Sequence, residues 1–119
     1  MSNETSIAVG EEQDSNWIRV QGKGNFQSSP QLKDYVESCL AKDDFRTFVV
    51  DLEACPAMDS TFMGTLAGLA SRLMEQESAL AVVGLSQRNR ESLVDLGLDA
   101  ILQLEDEGGQ SPWGAFNND

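Results

Sequence analysis

A single α/β domain with a mixed, mostly parallel sheet is predicted by three features of the sequence. Short β-branched apolar runs recur, Phe48-Val49-Val50 with Leu52 just beyond, and Leu80-Ala81-Val82-Val83-Gly84-Leu85. Runs of that length and composition fit strands buried on both faces. Between them lie stretches whose apolar residues repeat at helical spacing, so strands and helices alternate. Such alternation implies right-handed crossovers and parallel pairing. The third feature is an N-terminal pair of strand-like segments, whose hairpin makes the sheet mixed.

The elements follow in order. Ser6-Ile7-Ala8-Val9 reads as a short edge strand, the acidic stretch Gly10 to Asp14 as a turn, and Trp17-Ile18-Arg19-Val20 as the second strand of the hairpin. Gln21-Gly22-Lys23-Gly24-Asn25 is a Gly-rich tight connection whose spacing matches neither a P-loop nor a dinucleotide fingerprint. Ser29 as N-cap and Pro30 at the first helical position start a helix. Its stripe is Leu32, Tyr35, Val36, Cys39 and Leu40, and Ala41-Lys42-Asp43-Asp44 ends it. The central strand follows, then a connection containing Pro56. A second helix opens at Asp59-Ser60-Thr61, three residues that each favour an N-cap. Its apolar face is Met63, Leu66, Leu69, Ala70 and Leu73. After the Leu80–Leu85 strand, Ser86 caps a third helix that runs to about Leu96. Leu93, Val94 and Leu96 face inward there, and Gly97 closes the helix as the C′ residue. A last strand is Ile101-Leu102-Gln103-Leu104. The expected order is β-β-α-β-α-β-α-β, with residues 1–104 as the domain and 105–119 as an acidic, Gly-rich tail. That tail has room for one helical turn from Ser111 to Phe116, and the sequence leaves open whether Trp113 and Phe116 dock or stay loose.

Composition excludes several functions. A length of 119 residues suits one domain with one core, and a hydrophobic fraction of 40% argues against disorder. Eight basic against twenty acidic residues gives a net charge of −12. That excess weighs against nucleic-acid or anionic-membrane binding and would steer a basic partner toward the surface. Histidine is absent, which removes the commonest general base and metal ligand together. Cys39 and Cys55 make neither a disulfide framework nor a zinc site and read as free thiols in a reducing compartment. The N-terminus lacks a basic, apolar leader, and no run approaches the ~20 apolar residues of a membrane span. A soluble, cytoplasmic, acidic domain without cofactor or metal is expected.

The central turn presents a carboxylate and two hydroxyls at the end of a buried strand, where open α/β sheets usually place their working groups. Hydrolysis fits poorly. Ser60 lacks the glycines of a nucleophile elbow, and no histidine can take its proton. None of the three lysines, Lys23, Lys33 and Lys42, has the context of a Ser-Lys dyad, and Cys55 lacks a base. No enzyme activity is expected. Asp51 lies in a phrase that looks like a receiver-domain phosphoacceptor, yet the acidic pair after the first strand and a lysine after the last are missing. Two roles for Ser60 remain. It either caps the helix, worth about 1 kcal/mol, or accepts a phosphate from a separate kinase at a helix N-terminus that favours one.

The residues Met58-Asp59-Ser60-Thr61-Phe62-Met63-Gly64, placed between a buried strand and a helix, resemble the motif Asp-Ser-[Ser/Thr]-x-x-Gly of STAS domains in bacterial anti-sigma factor antagonists. The similarity runs from about Trp17 through Leu104. It implies a STAS-like fold and a partner-switching phosphoprotein. Unphosphorylated, such a domain binds an anti-sigma factor that is also a serine kinase, which releases the sigma factor. Phosphorylation of Ser60, with Thr61 as second choice, weakens the complex, and a PP2C-type phosphatase resets it. Asn25, Asp59, Ser60, Thr61, Met63 and Gly64 would form the docking surface. Gly64 leaves a bare patch of helix, while Phe62 and Met63 add apolar area, one of them from the core. The sequence departs from the family where Gly22-Lys23-Gly24-Asn25 replaces the frequent Gly-Glu-Leu-Asp. The family's C-terminal amphipathic helix is replaced by the short tail, which uncovers a helix face that a homodimer contact could cover. The alternative reading is a constitutive STAS interaction or scaffold module in a signalling or transport complex, with Ser60 only a cap. A third and weaker one is a small-ligand or nucleotide-binding domain.

Overall fold

The computed structural model describes residues 5–12, 14–42 and 47–105. The described residues form β1 (Ser6–Glu12), β2 (Ser15–Gln21), α1 (Ser28–Ala41), β3 (Thr47–Asp51), α2 (Ser60–Glu75), β4 (Leu80–Val83), α3 (Gln87–Asp95), a 3-10 turn at Leu98–Ala100 and β5 (Gln103–Leu104). This is the expected order and the expected mixed α/β sheet. The five strands lie in the sheet in sequence order. β1 runs antiparallel to β2, and the remaining pairs are parallel. Each crossover steps one strand in the same direction, and right-handed crossovers of that kind stack their helices on one face.

That face holds the main core. Ile18 and Val20 of β2, Phe48 and Val50 of β3, and Leu80 and Val82 of β4 meet Leu32 and Val36 of α1, Phe62, Leu66 and Leu73 of α2, and Leu93 of α3. Because strand side chains alternate, the residues between them point the other way. Trp17, Val49, Ala81 and Val83 form a second buried cluster on the opposite face.

Several boundaries differ from expectation. β1 and β2 extend through most of the presumed acidic turn, since the ladder pairs Glu11 with Asn16 and Glu12 with Ser15. β5 keeps only two residues, and β4 stops at Val83 because Gly84 turns the chain with φ +70°. Ser29 is not the cap of α1. The N-cap position falls on Gln27, which makes no side-chain cap hydrogen bond; in the turn before it Asn25 Oδ1 accepts from the Gln27 N–H at 2.9 Å. Ser28 Oγ in turn accepts from the Asn25 N–H at 2.9 Å. The helix therefore begins at Ser28, and Ser29 is buried. In α3, Asn89 and Leu93 point inward one turn apart, whereas Val94 and Leu96 are 45% and 57% exposed. Val94 lies about 100° around the helix from Leu93, and Leu96 is the C-cap residue outside it. Gly97 does take the left-handed conformation expected of a helix-closing glycine, with φ +74°. The possible turn from Ser111 to Phe116, the placement of Trp113 and Phe116, and the tail from residue 106 onward lie outside the described residues.

Candidate functional site at the start of the second helix

The connection from β3 to α2 is laced to its neighbours by backbone hydrogen bonds. Leu52 N–H donates to the Val83 carbonyl at 3.0 Å, Gly22 N–H to Ala54 at 3.1 Å and Gly24 N–H to Ala57 at 2.9 Å. Asp59 N–H donates back to the Gly24 carbonyl at 2.8 Å, and Gly24 forms a parallel bridge with Met58. The Gly-rich connection is thus a clamp on the start of α2, beyond the tight turn its composition suggests. It must be glycine at 24 for a steric reason: a Cβ there would lie 2.7 Å from the Phe62 ring. From the other side, Asn89 of α3 is buried and donates its Nδ2 hydrogen to the Cys55 carbonyl at 2.9 Å. Burial pushes the Cys55 thiol above its ordinary value, against the opposing effect of hydrogen bonds with the backbone of Gly24 and Ala57.

Within this frame Asp59 is the cap. Its backbone is extended, and its Oδ1 accepts from the Phe62 N–H at 2.8 Å. Ser60 is therefore the first residue inside the helix, and the reading of Ser60 as the cap is corrected. A carboxylate one residue earlier reaches the orphan N–H groups of the first turn, so the serine hydroxyl is not needed there. Ser60 Oγ makes no hydrogen bond among the described residues, and Ser60 and Thr61 are both exposed.

The other expected site residues fall around it. Gly64 is exposed, with open space where a side chain would stand. Asn25 is half-buried beside Asp59, in a shallow hollow also lined by Lys23 and Phe26. Met63 is only 9% exposed and Phe62 is fully buried. Both belong to the core, contrary to the expectation that one would remain at the surface, because the stripe Met63, Leu66, Ala70, Leu73 faces the sheet. Met63 can support the surface only from beneath. Residues the sequence did not single out also flank Ser60. Phe26 is 70% exposed, and an aromatic within a Gly-rich turn was the available signal for it. On the far side, Lys33 and Glu37 of α1 and Thr61, Gly64, Gly68 and Arg72 of α2 line a groove, closed at one end by the Arg72–Glu37 ion pair at 2.7 Å. Asp51, the superficial phosphoacceptor, is 4% exposed and ion-paired with Arg19 at 3.3 Å.

Fold and site together define a small α/β domain that presents an exposed hydroxyl pair at the C-terminal edge of its sheet. The model of the STAS domain family matches residues 7–109. The chain belongs to that family. It is 28% identical over 93 residues to the anti-sigma-B factor antagonists of Listeria monocytogenes and Listeria innocua, covering 78% of this chain and 81% of theirs. Its fold is similar to the crystal structure of a putative anti-sigma factor antagonist from Thermotoga maritima, with TM-score 0.76 and 16% identity over 93% of this chain and 92% of that one. It also resembles the Bacillus cell fate determinant SpoIIAA in its phosphorylated form, with TM-score 0.69 and 16% identity over 86% and 93% of the two chains.

Proposed function

We propose that the chain is an anti-sigma factor antagonist acting by partner switching, with Ser60 as the residue phosphorylated and Thr61 as second choice. In this reading the unphosphorylated domain binds an anti-sigma factor that is also a serine kinase, and the sigma factor is released. The kinase then joins Ser60 Oγ to the γ-phosphorus of ATP, the bond to ADP breaks, and the serine proton leaves to a kinase base. A PP2C-type phosphatase hydrolyses the ester and resets the switch. The chain is the substrate of both enzymes and works in the cytoplasm without a cofactor. Among the described residues, no helix is long and apolar enough to cross a membrane.

The observation that carries this reading is the division of roles between Asp59, which caps, and Ser60, whose hydroxyl is left exposed. A phosphate at that position would sit by the positive end of α2 without breaking a cap. It would add about −1.5 to −2 charges beside Asp59, on a chain already at −12. A helix that keeps its structure while its surface charge changes acts by altering what a partner meets. Asn25, Asp59, Thr61 and Gly64 would form that surface, with Met63 beneath it. The Listeria relatives, named as anti-sigma-B factor antagonists, support the reading.

Incubation with the cognate kinase and ATP, followed by mass spectrometry, should place phosphate on Ser60. Phosphate on neither Ser60 nor Thr61 would sink the proposal. Ser60→Asp should weaken kinase binding more than Ser60→Ala. Binding near wild type in both variants would favour the constitutive interaction module instead.

A further inference from the structure

One large side chain beside Ser60 is left out of the core. Phe26 is 70% exposed, the highest value among the large apolar side chains of the described residues. Single apolar side chains at a surface are ordinary, so position and surroundings decide whether this one matters. Met74, Val94 and Leu96 stand at the C-terminal ends of α2 and α3, away from Ser60, and Val9 lies on the edge strand β1. Phe26 is the aromatic member of this exposed set, and it stands at the edge of the sheet that carries Ser60. Gly24, two residues before it, makes a parallel bridge with Met58, two residues before Ser60.

The turn that displays the ring is fixed from both sides. Asn25 Oδ1 accepts from the N–H groups of Gln27 and Ser28, at 2.9 and 3.4 Å. Ser28 is fully buried, and its Oγ accepts from the Asn25 N–H at 2.9 Å and donates to the Lys23 carbonyl at 3.1 Å. Gly24 is tied through both its backbone groups to the β3–α2 connection. The Phe26 side chain takes no part in these bonds. An aromatic ring held in water on an ordered turn adds little to the fold, yet it meets a partner with its backbone ordering already complete. Beside it lies a hollow formed by Gly24, Ala57 and Met58, with Lys23 and Asp59 at the rim. Lys23 is exposed and forms no ion pair with another described residue. On a chain at −12, that cation reverses the local sign of charge.

We infer, on the reading of Ser60 as the acceptor proposed above, that Phe26 is the apolar anchor by which the kinase grips this chain. The ring enters an apolar pocket on that enzyme, a carboxylate at the pocket's rim meets Lys23, and the pocket's wall fills the hollow. Buried aromatic anchors carry much of the affinity of protein interfaces, because they bring large area at little conformational cost. Charge at the rim governs the rate and selectivity of encounter more than the final affinity. Anchor and acceptor are then different residues on neighbouring loops. Phosphate at Ser60 changes the charge that the partner meets, while Phe26 supplies a grip that does not involve the reacting oxygen. Selection of the enzyme and its release are therefore separate tasks of the β2–α1 turn and the start of α2.

The test measures binding of the full chain to its cognate kinase by calorimetry, together with steady-state phosphorylation of Ser60. Phe26→Ala should raise Kd by about 30-fold. It should raise KM for the chain and leave kcat within about twofold, as loss of a contact made equally before and during reaction does. Phe26→Leu keeps apolar bulk and should lose less than Phe26→Ala. Lys23→Glu should slow association, most strongly at low salt. Melting temperature should hold in all three variants, because neither side chain bonds within the turn. A Phe26→Ala chain bound and phosphorylated like the parent overturns the anchor while Ser60 stands as acceptor. A loss confined to kcat, or one accompanied by a lower melting temperature, also overturns it, since the ring would then shape the site rather than grip the enzyme. Equal losses in Phe26→Leu and Phe26→Ala reject the apolar pocket, and an unchanged association rate in Lys23→Glu rejects the carboxylate at its rim. A parent chain that the kinase neither binds nor phosphorylates overturns the reading of Ser60, and the anchor with it.

Discussion

Two helix starts in this molecule look alike in sequence and behave differently. Both α2 and α3 follow the C-terminal end of a buried parallel strand, and each has a serine at its first turn. At α3 the serine is the cap, with Ser86 Oγ accepting from the Asn89 N–H at 3.0 Å. At α2 an aspartate takes that position, with Asp59 Oδ1 accepting from the Phe62 N–H at 2.8 Å, and Ser60 is displaced one residue into the helix. The hydroxyl that closes a helix is engaged, whereas the one just inside it is available to another protein. The two starts are also coupled. The residue that Ser86 caps, Asn89, reaches across to the Cys55 carbonyl and holds the loop leading to Asp59. One helix start is a brace, and the other is what it braces.

The largest effect should come from the clamp beneath α2. Gly24→Ala would drive a Cβ to 2.7 Å from the Phe62 ring, and overpacking of that kind costs about 1–3 kcal/mol. Urea unfolding should show the loss, and an unchanged midpoint would mean the clamp yields freely. Next come the caps themselves. Asp59→Ala and Ser86→Ala should each cost about 1 kcal/mol, while Ser60→Ala should stay within about 0.5 kcal/mol as an exposed, uncommitted side chain does. A Ser60→Ala cost equal to that of Ser86→Ala would erase the difference between the two starts. Gly64→Ala should stabilise the exposed helix by about 0.5–1 kcal/mol yet weaken kinase binding by blocking close approach, so a gain in melting temperature with unchanged affinity would remove Gly64 from the docking surface.

The smallest effect is a pH dependence in the loop between the two helices. Burial raises the Cys55 thiol above the ordinary 9.0. The folded state therefore holds this proton more tightly than the unfolded chain does. Its contribution is complete below that ordinary value and is lost as pH rises through the raised one. Melting temperature above about pH 9 should accordingly fall more steeply in the parent than in Cys55→Ala. Parallel slopes would show that the thiol is not linked to folding.

Much of this was legible in the chain because periodicity records which face an element buries. The stripes of α1 and α2, the buried strands, Ser86 as a cap and Gly97 as a helix stop all follow from local residue preferences. The candidate site was legible as a place, since Asp59, Ser60 and Thr61 are cap-forming residues at a strand-to-helix turn. Which of the three would cap was not, because Asp, Ser and Thr have similar local preferences. Asn25 shows the same limit. Its side chain orders the turn before α1 through hydrogen bonds with Gln27 and Ser28, and the helix starts at Ser28, ahead of the position that Ser29-Pro30 suggested.

What the sequence determined by itself is the element order, the crossover handedness that puts the helices on one side, and the identity of the exposed hydroxyls. These depend on spacing within a segment, which is written into the chain. Only the tertiary structure decided that Gly24 sits against Phe62, that Met63 belongs to the core, that Asp51 is held by Arg19, and that Ser60 is spared from capping. Each of those depends on contacts between residues far apart in the chain or on competition among near-equal local choices. Packing settles such choices, since a side chain keeps the partner that gives the whole fold its lowest free energy.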